Sequence, residues 1–421
     1  MTKRPHAPFP PSHDTGASPA VASADRIGVV GPGLMGMGLC HAAAAAGVGA
    51  VLAGRNGEAV TRGIARWTAD LDRRIARGRL DEAQRDRLLQ AVAVAAADRD
   101  LACCPLVVET VAEDRHVKAE VLQRIEAVVA DDALIATNTS GLPVTGLAAT
   151  LARPGRFVGL HFFSPVDRMA LVEVVVGRDT AAATVEIALD WVRRLGKQPI
   201  VVRDGPGFFT SRVFAAYLDE AVAMLAEGVS PDLIDAAAIA AGLPTGPLAM
   251  LDETGVALNW QQARQARADG LEERFCRPLA WPLLDRLVSL GRRGRRDGGG
   301  FYDYPDGAAK RIWPGLSALC PPCEVQPDIG AAARRMLHAQ ALQAAVCLED
   351  ETVASAADAD TGSILGLGFP KAEGGVLAQV ERRGLALFVE ECDALADRHG
   401  ERLRPSTWLR GKAASGEGLR R

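Results

Sequence analysis

The stretch "RIGVVGPGLMG", Arg26 to Gly36, decides the fold of the first part of the chain. Its first five residues form an apolar run typical of a buried parallel strand, and a helical pattern follows the last glycine. Between them three glycines have the spacing GxGxxG, which lets the chain turn sharply and brings the backbone close to a pyrophosphate at a helix N-terminus. The predicted dinucleotide-binding residues of this turn are Gly31, Gly33, Leu34, Met35 and Gly36.

Short apolar runs alternate with helical segments from this turn to about Val202, a pattern typical of βαβ units on a parallel sheet. A Rossmann-like α/β domain is therefore predicted for residues 25–203. Long helical stretches are expected between Glu58 and Leu89. The further strands expected are Ala50–Gly54, Leu106–Glu109, Ala133–Asn138, a hairpin within Gly159–Val176, and Pro199–Val202.

The second half of the chain is predicted to be helical apart from the Gly-rich segment Gly291–Tyr304. Within it, "DEAVAMLAEGVS" leading to "GLPTGPLAML" resembles "LQAAVCLEDETV" leading to "GLGFPKAEGGVL", at an offset of roughly 125 residues. That offset is too long for a solenoid repeat and favours a duplicated all-α domain. We expect the two copies at residues 204–305 and 327–415, a linker at 306–326, and a disordered tail at 1–24.

Composition narrows the choice of partner. A net charge of −4 over 421 residues gives no global attraction to nucleic acid or to an anionic membrane. The sequence also lacks a secretory signal and an apolar run of about twenty residues, so we expect a cytoplasmic protein. Eight irregularly spaced cysteines do not suggest a disulfide framework, and the isolated pair Cys320 and Cys323 has no further ligands at metal spacing, so no metal site is predicted.

The end of the second strand departs from the usual dinucleotide pattern. An acidic residue is expected there to bind the adenosine ribose, but the sequence reads "LAGRN", with Gly54 and Arg55 in its place. Loss of the carboxylate removes repulsion against a 2′-phosphate, and a guanidinium can pair with that group. The expected cofactor is NAD, with NADP also possible. In the alternative interpretation, Arg55 is merely solvated and NAD binds through its pyrophosphate.

His161 and Glu173 lie symmetrically about Asp167 in "GLHFFSPVDRMALVEVVV". If the flanking runs are two strands of a hairpin, the two side chains face each other. A carboxylate beside an imidazole fixes its tautomer and makes it a better proton acceptor. The pair is therefore the predicted catalytic base and its orienting partner, although a buried histidine can also be purely structural.

Several motifs in this order closely resemble the L-3-hydroxyacyl-CoA dehydrogenase family, including the dehydrogenase part of multifunctional fatty-acid oxidation proteins. The resemblance extends over about residues 26–414 and implies oxidation of the 3-hydroxyl of an acyl-CoA thioester with NAD, as in β-oxidation. The motifs that carry it are "GPGLMG", "VVETVAEDRHVK", "ATNTSGLP", "GLHFFSPV", "DGPGFF", "GLPTGPLAML", "GGGFYDY" and "GLGFPKAEGG".

The resemblance also implies roles for further residues. Ser140 matches a serine near the reacting oxygen and the nicotinamide, and Glu113 and Lys118 match positions on the cofactor side. Ser211 stands where the family has a substrate-binding asparagine, so one contact is expected to be weakened or taken over by water. Contacts to the CoA nucleotide fall on an Arg-rich run that also reads as a solvated helix face; the candidates are Arg62, Arg73 and Arg77.

The expected partner is an acyl-CoA thioester. If the second helical copy packs on the first as a partner subunit would, the protein is a monomer with an internal pseudo-dimer, and otherwise a homodimer. A hydratase domain precedes the Rossmann domain in the multifunctional relatives, and only the short tail does so here, so we expect no hydratase activity. Two alternatives stay open: a catalytically weakened acyl-CoA-binding subunit of an oxidation complex, and a dehydrogenase of a free hydroxy acid.

Overall fold

A computed structural model describes residues 26–420 of the chain, so the tail expected at residues 1–24 lies outside the described residues. The chain divides into two compact units, the first ending at Phe208 and the second beginning at Phe209. The first unit is a mixed α/β fold and the second is mainly helical, which confirms the predicted fold class at this level. No helix within residues 26–420 is long and apolar enough to cross a membrane.

Helices and strands alternate through the first unit, as the hydrophobic pattern predicts. Short 3₁₀ helices lie at Asp98–Cys103 and Pro154–Arg156. The other elements are, in chain order, β1 (Arg26–Val30), α1 (Leu34–Ala45), β2 (Gly49–Ala53), α2 (Gly57–Ala76), α3 (Glu82–Gln90), β3 (Val92–Val94), β4 (Leu106–Glu109), α4 (Arg115–Glu126), β5 (Leu134–Thr137), α5 (Val144–Ala148), β6 (Phe157–Phe162), β7 (Leu171–Val176), α6 (Ala182–Arg194) and β8 (Gln198–Arg203).

The strands form one eight-stranded sheet in the order β3-β2-β1-β4-β5-β6-β7-β8. All neighbouring pairs are parallel except β6 and β7, which form the expected antiparallel hairpin. The chain runs outward from β1 to β3 and then returns to β4 on the other side of β1, which makes this point a topological switch. Ligands of such sheets bind beyond the carboxyl ends of the strands at the switch point.

The edge strand β3 is an element that the sequence pattern did not predict. It has only three residues, and two of them, Ala93 and Val94, are exposed. A strand this short and this exposed has no apolar periodicity of its own. It forms because its backbone pairs with β2, from Ala50 to Leu52.

The core of the first unit lies between the sheet and its helices. Side chains such as Leu39 on α1, Leu52 on β2 and Val108 on β4 are fully buried. Each aliphatic side chain removed from water contributes about 1.5–3 kcal/mol to folding, so the sheet is held rigidly from strand to strand. The strand ends that carry polar residues are positioned by this apolar layer.

The second unit is built from eleven helices and one pair of very short strands within residues 209–420, apart from 3₁₀ turns. The segment expected to be a linker, residues 306–326, contains one of these strands and a short helix. The elements are α7 (Thr210–Ala226), α8 (Pro231–Ala240), α9 (Pro247–Thr254), α10 (Val256–Ala268), α11 (Trp281–Ser289), β9 (Tyr302–Asp303), β10 (Arg311–Ile312), α12 (Leu316–Leu319), α13 (Ile329–Glu349), α14 (Ala356–Leu367), α15 (Ala378–Arg383), α16 (Leu385–His399) and α17 (Thr407–Ser415).

The Gly-rich segment before β9 wraps around a buried carboxylate. Asp252 accepts hydrogen bonds from the backbone N–H groups of Phe301 (2.8 Å) and Tyr302 (2.9 Å) and from the hydroxyl of Tyr304 (3.1 Å). A Cβ on Gly300 would overlap the Asp252 carboxylate. Glycine is needed at this position because the backbone passes directly over that side chain.

Candidate active site

The glycine turn between β1 and α1 has the close packing that its spacing predicts. Gly31 has φ +120°, and a Cβ there would lie 2.8 Å from the backbone carbonyl of Thr110. A Cβ on Gly36 would overlap the carbonyl oxygen of Gly31, because the first turn of α1 packs against the turn itself. The Thr110 hydroxyl donates to that same oxygen at 2.9 Å and locks the turn to the end of β4.

Gly33 differs from Gly31 and Gly36, the other two glycines of the turn, because nothing lies within 4 Å of the position that its Cβ would take. It is the N-cap residue of α1, and its side chain cannot satisfy the first N–H groups of the helix. Leu34, with 65% of its surface exposed, borders the same open space. Open space without a Cβ at a helix N-terminus fits the pyrophosphate of a dinucleotide.

The packing at the end of β2 leaves no space for an acidic side chain at the position of Gly54, where one is usual in dinucleotide-binding domains. A Cβ on Gly54 would lie 2.8 Å from a methyl of Val60 and 3.2 Å from the ring of Pro32. Arg55 follows and is exposed, and Asn56 then caps α2 by accepting from the N–H of Ala59 at 2.9 Å. The close packing of Val60 on α2 and of Pro32 thus favours glycine at position 54 over a residue with a carboxylate.

Lys118, predicted on the cofactor side, is fully buried in an ion pair. Its ammonium lies 2.9 and 3.0 Å from the two carboxylate oxygens of Glu109, which is also fully buried. Glu109 in addition accepts from the hydroxyl of Thr137 at 2.7 Å and from the N–H of Val111 at 2.5 Å. Lys118 therefore joins α4 to the ends of β4 and β5, and its charge acts through Glu109.

Glu113 connects this ion pair to Ser140. One of its oxygens lies 3.4 Å from the Lys118 ammonium, and the other accepts from the Thr139 hydroxyl at 2.6 Å and from the Ser140 N–H at 3.0 Å. The Ser140 hydroxyl is 3.4 Å from the same oxygen, a long and weak contact. Glu113 thus fixes the backbone of the loop after β5 and leaves the Ser140 hydroxyl able to turn toward a ligand.

His161 and Glu173 are paired directly across the hairpin. Nδ1 of His161 lies 2.6 Å from Oε2 of Glu173, whose side chain is fully buried. The contact assigns the proton on Nδ1 to the hydrogen bond, which leaves the lone pair on Nε2. Among residues 26–420, Nε2 has no hydrogen-bond partner, and the ring is packed beside Phe163 with 4.5 Å between centroids.

Asn138 is a further residue of the candidate site that was not predicted from the sequence. Its side-chain oxygen accepts from the N–H of Phe162 at 2.9 Å, directly after His161, and its own N–H donates to the carbonyl of Glu109 at 2.8 Å. It therefore holds the end of β6 against the ends of β5 and β4. The polar run "TNTS" at the end of a buried strand was the signal that could have found it.

The loop of the hairpin is also held from both sides. Lys197 donates to the carbonyl oxygens of Val166 (2.5 Å) and Met169 (2.8 Å), and burial lowers its pKa while the charge of Asp167 opposes that shift. Arg74 on α2 lies 2.8 Å from the carboxylate of Asp167. The apex at Asp167 is thus tied to α2, which limits the freedom of the strands that carry His161 and Glu173.

The three arginines predicted to hold the CoA nucleotide lie on α2 or at its C-terminal end. Arg62 and Arg73 are eleven residues apart, about three turns, and so share one face of the helix. Both are exposed and paired, Arg62 with Glu58 and Arg73 with Asp70, while Arg77 follows the last turn. Their side chains lie at the surface, where either a phosphate or water can be the partner.

Ser211 is the second residue of α7 and belongs to the second unit, whereas His161, Glu173 and Ser140 belong to the first. Within residues 26–420 no group of three or more His, Cys, Asp or Glu side chains is arranged to hold a metal ion.

Comparison with known families agrees with this geometry. Residues 26–205 match the family model described as 3-hydroxyacyl-CoA dehydrogenase, NAD binding domain, and residues 207–304 match the one described as 3-hydroxyacyl-CoA dehydrogenase, C-terminal domain. The first match supports NAD as the cofactor. The turn of Gly31, Gly33 and Gly36 is the part of the first unit that fits such a dinucleotide.

Similar sequences include subunit alpha of the fatty acid oxidation complex from Shewanella amazonensis, with 34% identity over 353 residues that cover 82% of this chain and 49% of that protein. The same subunit from Shewanella sp. strain ANA-3 is 32% identical over 418 residues, 95% of this chain and 57% of that protein. The chain thus spans about half the length of the curated relatives that it matches.

Solved structures are similar over more of their own length. A 3-hydroxybutyryl-CoA dehydrogenase from Escherichia coli K12 superposes with a TM-score of 0.79 at 28% identity, over 93% of this chain and 99% of the other. The (S)-3-hydroxybutyryl-CoA dehydrogenase PaaH1 from Ralstonia eutropha gives a TM-score of 0.63 at 34% identity, over 68% of this chain and all of the other. With both family models matched and the glycine turn and hairpin pair in place, the chain belongs to the 3-hydroxyacyl-CoA dehydrogenase family.

Proposed function

We propose that this protein interconverts (S)-3-hydroxyacyl-CoA and 3-oxoacyl-CoA in fatty-acid metabolism. The single observation that carries the proposal is the 2.6 Å contact between His161 and Glu173 in the antiparallel pair of β6 and β7. The named activities of the relatives in the family support the same reaction class. Their fatty acid oxidation complexes also support a role in β-oxidation.

In this proposal, Glu173 accepts the Nδ1 proton of His161 in a hydrogen bond and stabilises the imidazolium that forms. Nε2 of His161 removes the proton of the substrate 3-hydroxyl during oxidation and returns it to the keto oxygen during reduction. Ser140 donates a hydrogen bond near that oxygen. A dinucleotide held at the turn of Gly31, Gly33 and Gly36 would supply a nicotinamide able to accept or return hydride at C3. Neighbouring aromatic rings such as that of Phe163 would exclude water from the surroundings of His161.

The remaining ligand contacts are part of the proposal. The open turn at Gly33, with Leu34 and Met35, would hold the cofactor pyrophosphate, and Glu113 and Lys118 would position the loop beside it. Ser211 would contact the acyl-CoA thioester in the place of the family's asparagine. Arg62, Arg73 and Arg77 would offer guanidinium groups to its nucleotide phosphates.

We further propose that the helical unit is an internal duplication. Asp235 on α8 accepts from the N–H groups of Leu248 (2.9 Å) and Ala249 (3.2 Å), and Asp360 on α14, 125 positions later, accepts from those of Leu377 (2.8 Å) and Ala378 (2.9 Å). In each case the N–H groups belong to the start of the next helix.

One glycine in each of the two copies has the same backbone geometry. Gly255, between α9 and α10, has φ +96° and ψ +115°, and Gly384, between α15 and α16, has φ +93° and ψ +121°. L-residues rarely adopt such angles, so their recurrence 129 positions apart supports a common origin of the two halves.

The two copies are joined by a buried charge network, which supports a monomer. Arg335 on α13 donates to Glu220 at 2.5 Å and to Glu227 at 2.6 and 2.7 Å; Glu220 lies on α7, and Glu227 is the C-cap residue of that helix. α7 and α13 are the first helices of the two copies, so each covers the other. Light scattering after gel filtration should give a mass close to 44.3 kDa, and a dimer mass would contradict this part of the proposal.

Cytoplasmic location is also a proposal. All eight cysteines are free thiols, five of them buried, which suits a reducing compartment. Fractionation of the native host and detection of the protein by antibody would test the location.

The decisive test of the activity is the reduction of acetoacetyl-CoA by the full chain with NADH and with NADPH, followed by loss of reduced-nicotinamide absorbance. We expect turnover that falls by about 10²-fold or more in His161→Asn, because the general acid is lost. His116→Asn, an exposed histidine on α4, is the matched control and should keep full activity.

The outcome also separates the other functions. Absence of turnover with both cofactors, together with tight binding of acyl-CoA, would favour a binding subunit of an oxidation complex. Faster turnover of a free 3-oxo acid than of its CoA thioester would favour a dehydrogenase of free hydroxy acids. Either result would overturn the proposed activity.

A further inference from the structure

We infer that the adenosine end of the cofactor site selects the 2′-phosphate of NADP(H) over the free 2′-hydroxyl of NAD(H), with Arg55 and Arg66 as the phosphate-binding residues. The inference rests on the proposed function, since it concerns the cofactor of the same site. It goes beyond the matched NAD-binding family model, because it follows from residues in which this chain departs from the usual pattern.

The first step is that a carboxylate cannot be accommodated at the end of β2. The position of a Cβ on Gly54 is closed by Val60, which is buried, and by the ring of Pro32. Gly63, one turn further along α2, is packed equally closely, because a Cβ there would lie 2.7 Å from the carbonyl oxygen of Pro32. α2 thus sits directly on the glycine turn and excludes the side chain that would accept the ribose hydroxyls and repel a phosphate.

Two guanidinium groups flank the position of Gly54. Arg55 is the next residue after Gly54 and is exposed. Arg66 lies on α2, and its Nη2 is 3.3 Å from the carbonyl oxygen of Pro32, the same residue that closes the Gly54 position. Within residues 26–420, neither Arg55 nor Arg66 has a carboxylate at ion-pair distance, so both charges are available to an anion.

Glu58 is the acidic residue nearest to Gly54 in the sequence. Glu58 stands in the first turn of α2 and would repel a phosphate if it were unpaired. It is paired with Arg62 one turn later, which offsets its charge. The net charge contributed by Arg55, Glu58, Arg62 and Arg66 is therefore positive, as a 2′-phosphate requires and as a ribose with free hydroxyls does not.

The test separates binding from turnover. Calorimetric titration of the full chain with adenosine 2′,5′-bisphosphate and with AMP, which differ only in the 2′-phosphate, measures the contribution of that group without any reaction. We expect the bisphosphate to bind at least about tenfold more tightly than AMP, and NADPH at least about tenfold more tightly than NADH, because charge-assisted hydrogen bonds to phosphate are among the strongest in proteins.

The variants assign the effect to the two arginines. In the double variant Arg55→Gln with Arg66→Gln, binding of NADPH should fall to the level of NADH while binding of NADH stays unchanged. The control is Arg87→Gln, an exposed arginine on α3, the helix that leads into the amino end of β3 and hence lies away from the carboxyl ends of the strands. It should leave both affinities as they are.

A converse variant tests the steric part. Gly54→Asp combined with Val60→Ala removes the methyl groups that close the Gly54 position and supplies the missing carboxylate, so NADH should become the preferred cofactor. Equal or tighter binding of AMP than of the bisphosphate by the unmodified protein, or an unchanged NADPH-to-NADH ratio in the double arginine variant, would overturn the inference. Failure of the proposed function is distinct from this, since it would appear as lack of turnover with both cofactors whatever the binding preference.

Discussion

His161 and Glu173 face each other across the one antiparallel pair of strands in an otherwise parallel sheet, with 2.6 Å between Nδ1 and Oε2. The fully buried carboxylate has its geometry set by β7, and the imidazole has its own set by β6. The relation between them is therefore fixed by backbone pairing and does not depend on flexible loops. In the proposed reaction, a base held in this way needs no rearrangement when the substrate binds.

Glu173→Gln should lower kcat by about 10²-fold or more with little change in KM, because the amide keeps the shape but no longer stabilises an imidazolium. Steady-state kinetics with acetoacetyl-CoA would measure this. Glu186→Gln, at an exposed position on α6, is the matched control. A variant with unchanged kcat would show that the carboxylate only packs the histidine.

Gly33→Ala and Gly36→Ala should fail in different ways. The alanine at 33 meets no protein atom, so stability should be kept while affinity for the dinucleotide falls, since the methyl enters the space for the pyrophosphate. The alanine at 36 overlaps Gly31 and should cost about 1–3 kcal/mol of folding free energy through overpacking. Thermal unfolding and cofactor titration of both variants provide the check, and the reverse pattern would contradict the placement of the cofactor at Gly33.

Lys118→Met should destabilise the first unit by about 3–5 kcal/mol, because Glu109 would be left as a buried charge without its partner. Adding Glu109→Gln should recover at least half of that loss. Arg124 lies on the same helix as Lys118, and Arg124→Met removes only its exposed pair with Asp98, so it should cost less than about 1 kcal/mol. Urea unfolding of the three proteins measures the differences, and equal losses for Lys118→Met and Arg124→Met would argue against a buried ion pair.

Asp252 should make the stability of the second unit depend on pH. Burial raises its pKa from 3.8 to about 6, so the folded state holds a proton that the unfolded state releases. Its contribution to stability is therefore greatest below pH 3.8 and is lost as pH rises through about 6. The size of the loss is about 3 kcal/mol for a shift of roughly two pH units.

Asp252→Asn removes this titration, although it also weakens one of the backbone hydrogen bonds at all pH values. As pH rises from about 4 to about 6, the unfolding free energy of the original protein should consequently decrease relative to that of the variant. Chemical denaturation followed by the fluorescence of the second unit's tryptophans, at several pH values, would measure it. Parallel pH curves for the two proteins would contradict a raised pKa at Asp252.

Much of the first unit could be predicted from local pattern. The glycine spacing at Gly31 to Gly36 and the placement of His161 and Glu173 about Asp167 are short-range features, because turn geometry and strand pairing repeat with fixed periods. Both appear in the structure as expected. The strand β3 and the structure within residues 306–326 were not anticipated, since two- and three-residue elements carry too few side chains to show a period.

The sequence by itself determined the strand–turn–helix of the dinucleotide site, the hairpin that pairs the imidazole with a carboxylate, and the helical character of the second half. Only the tertiary structure decided that Lys118 is a buried partner of Glu109, that Asn138 holds the end of β6, and that Val60 and Pro32 close the position of Gly54. The physical reason is distance along the chain. Local rules act over a few residues, whereas burial and close approach depend on segments that meet only after the sheet has formed and α2 and α4 have packed on it.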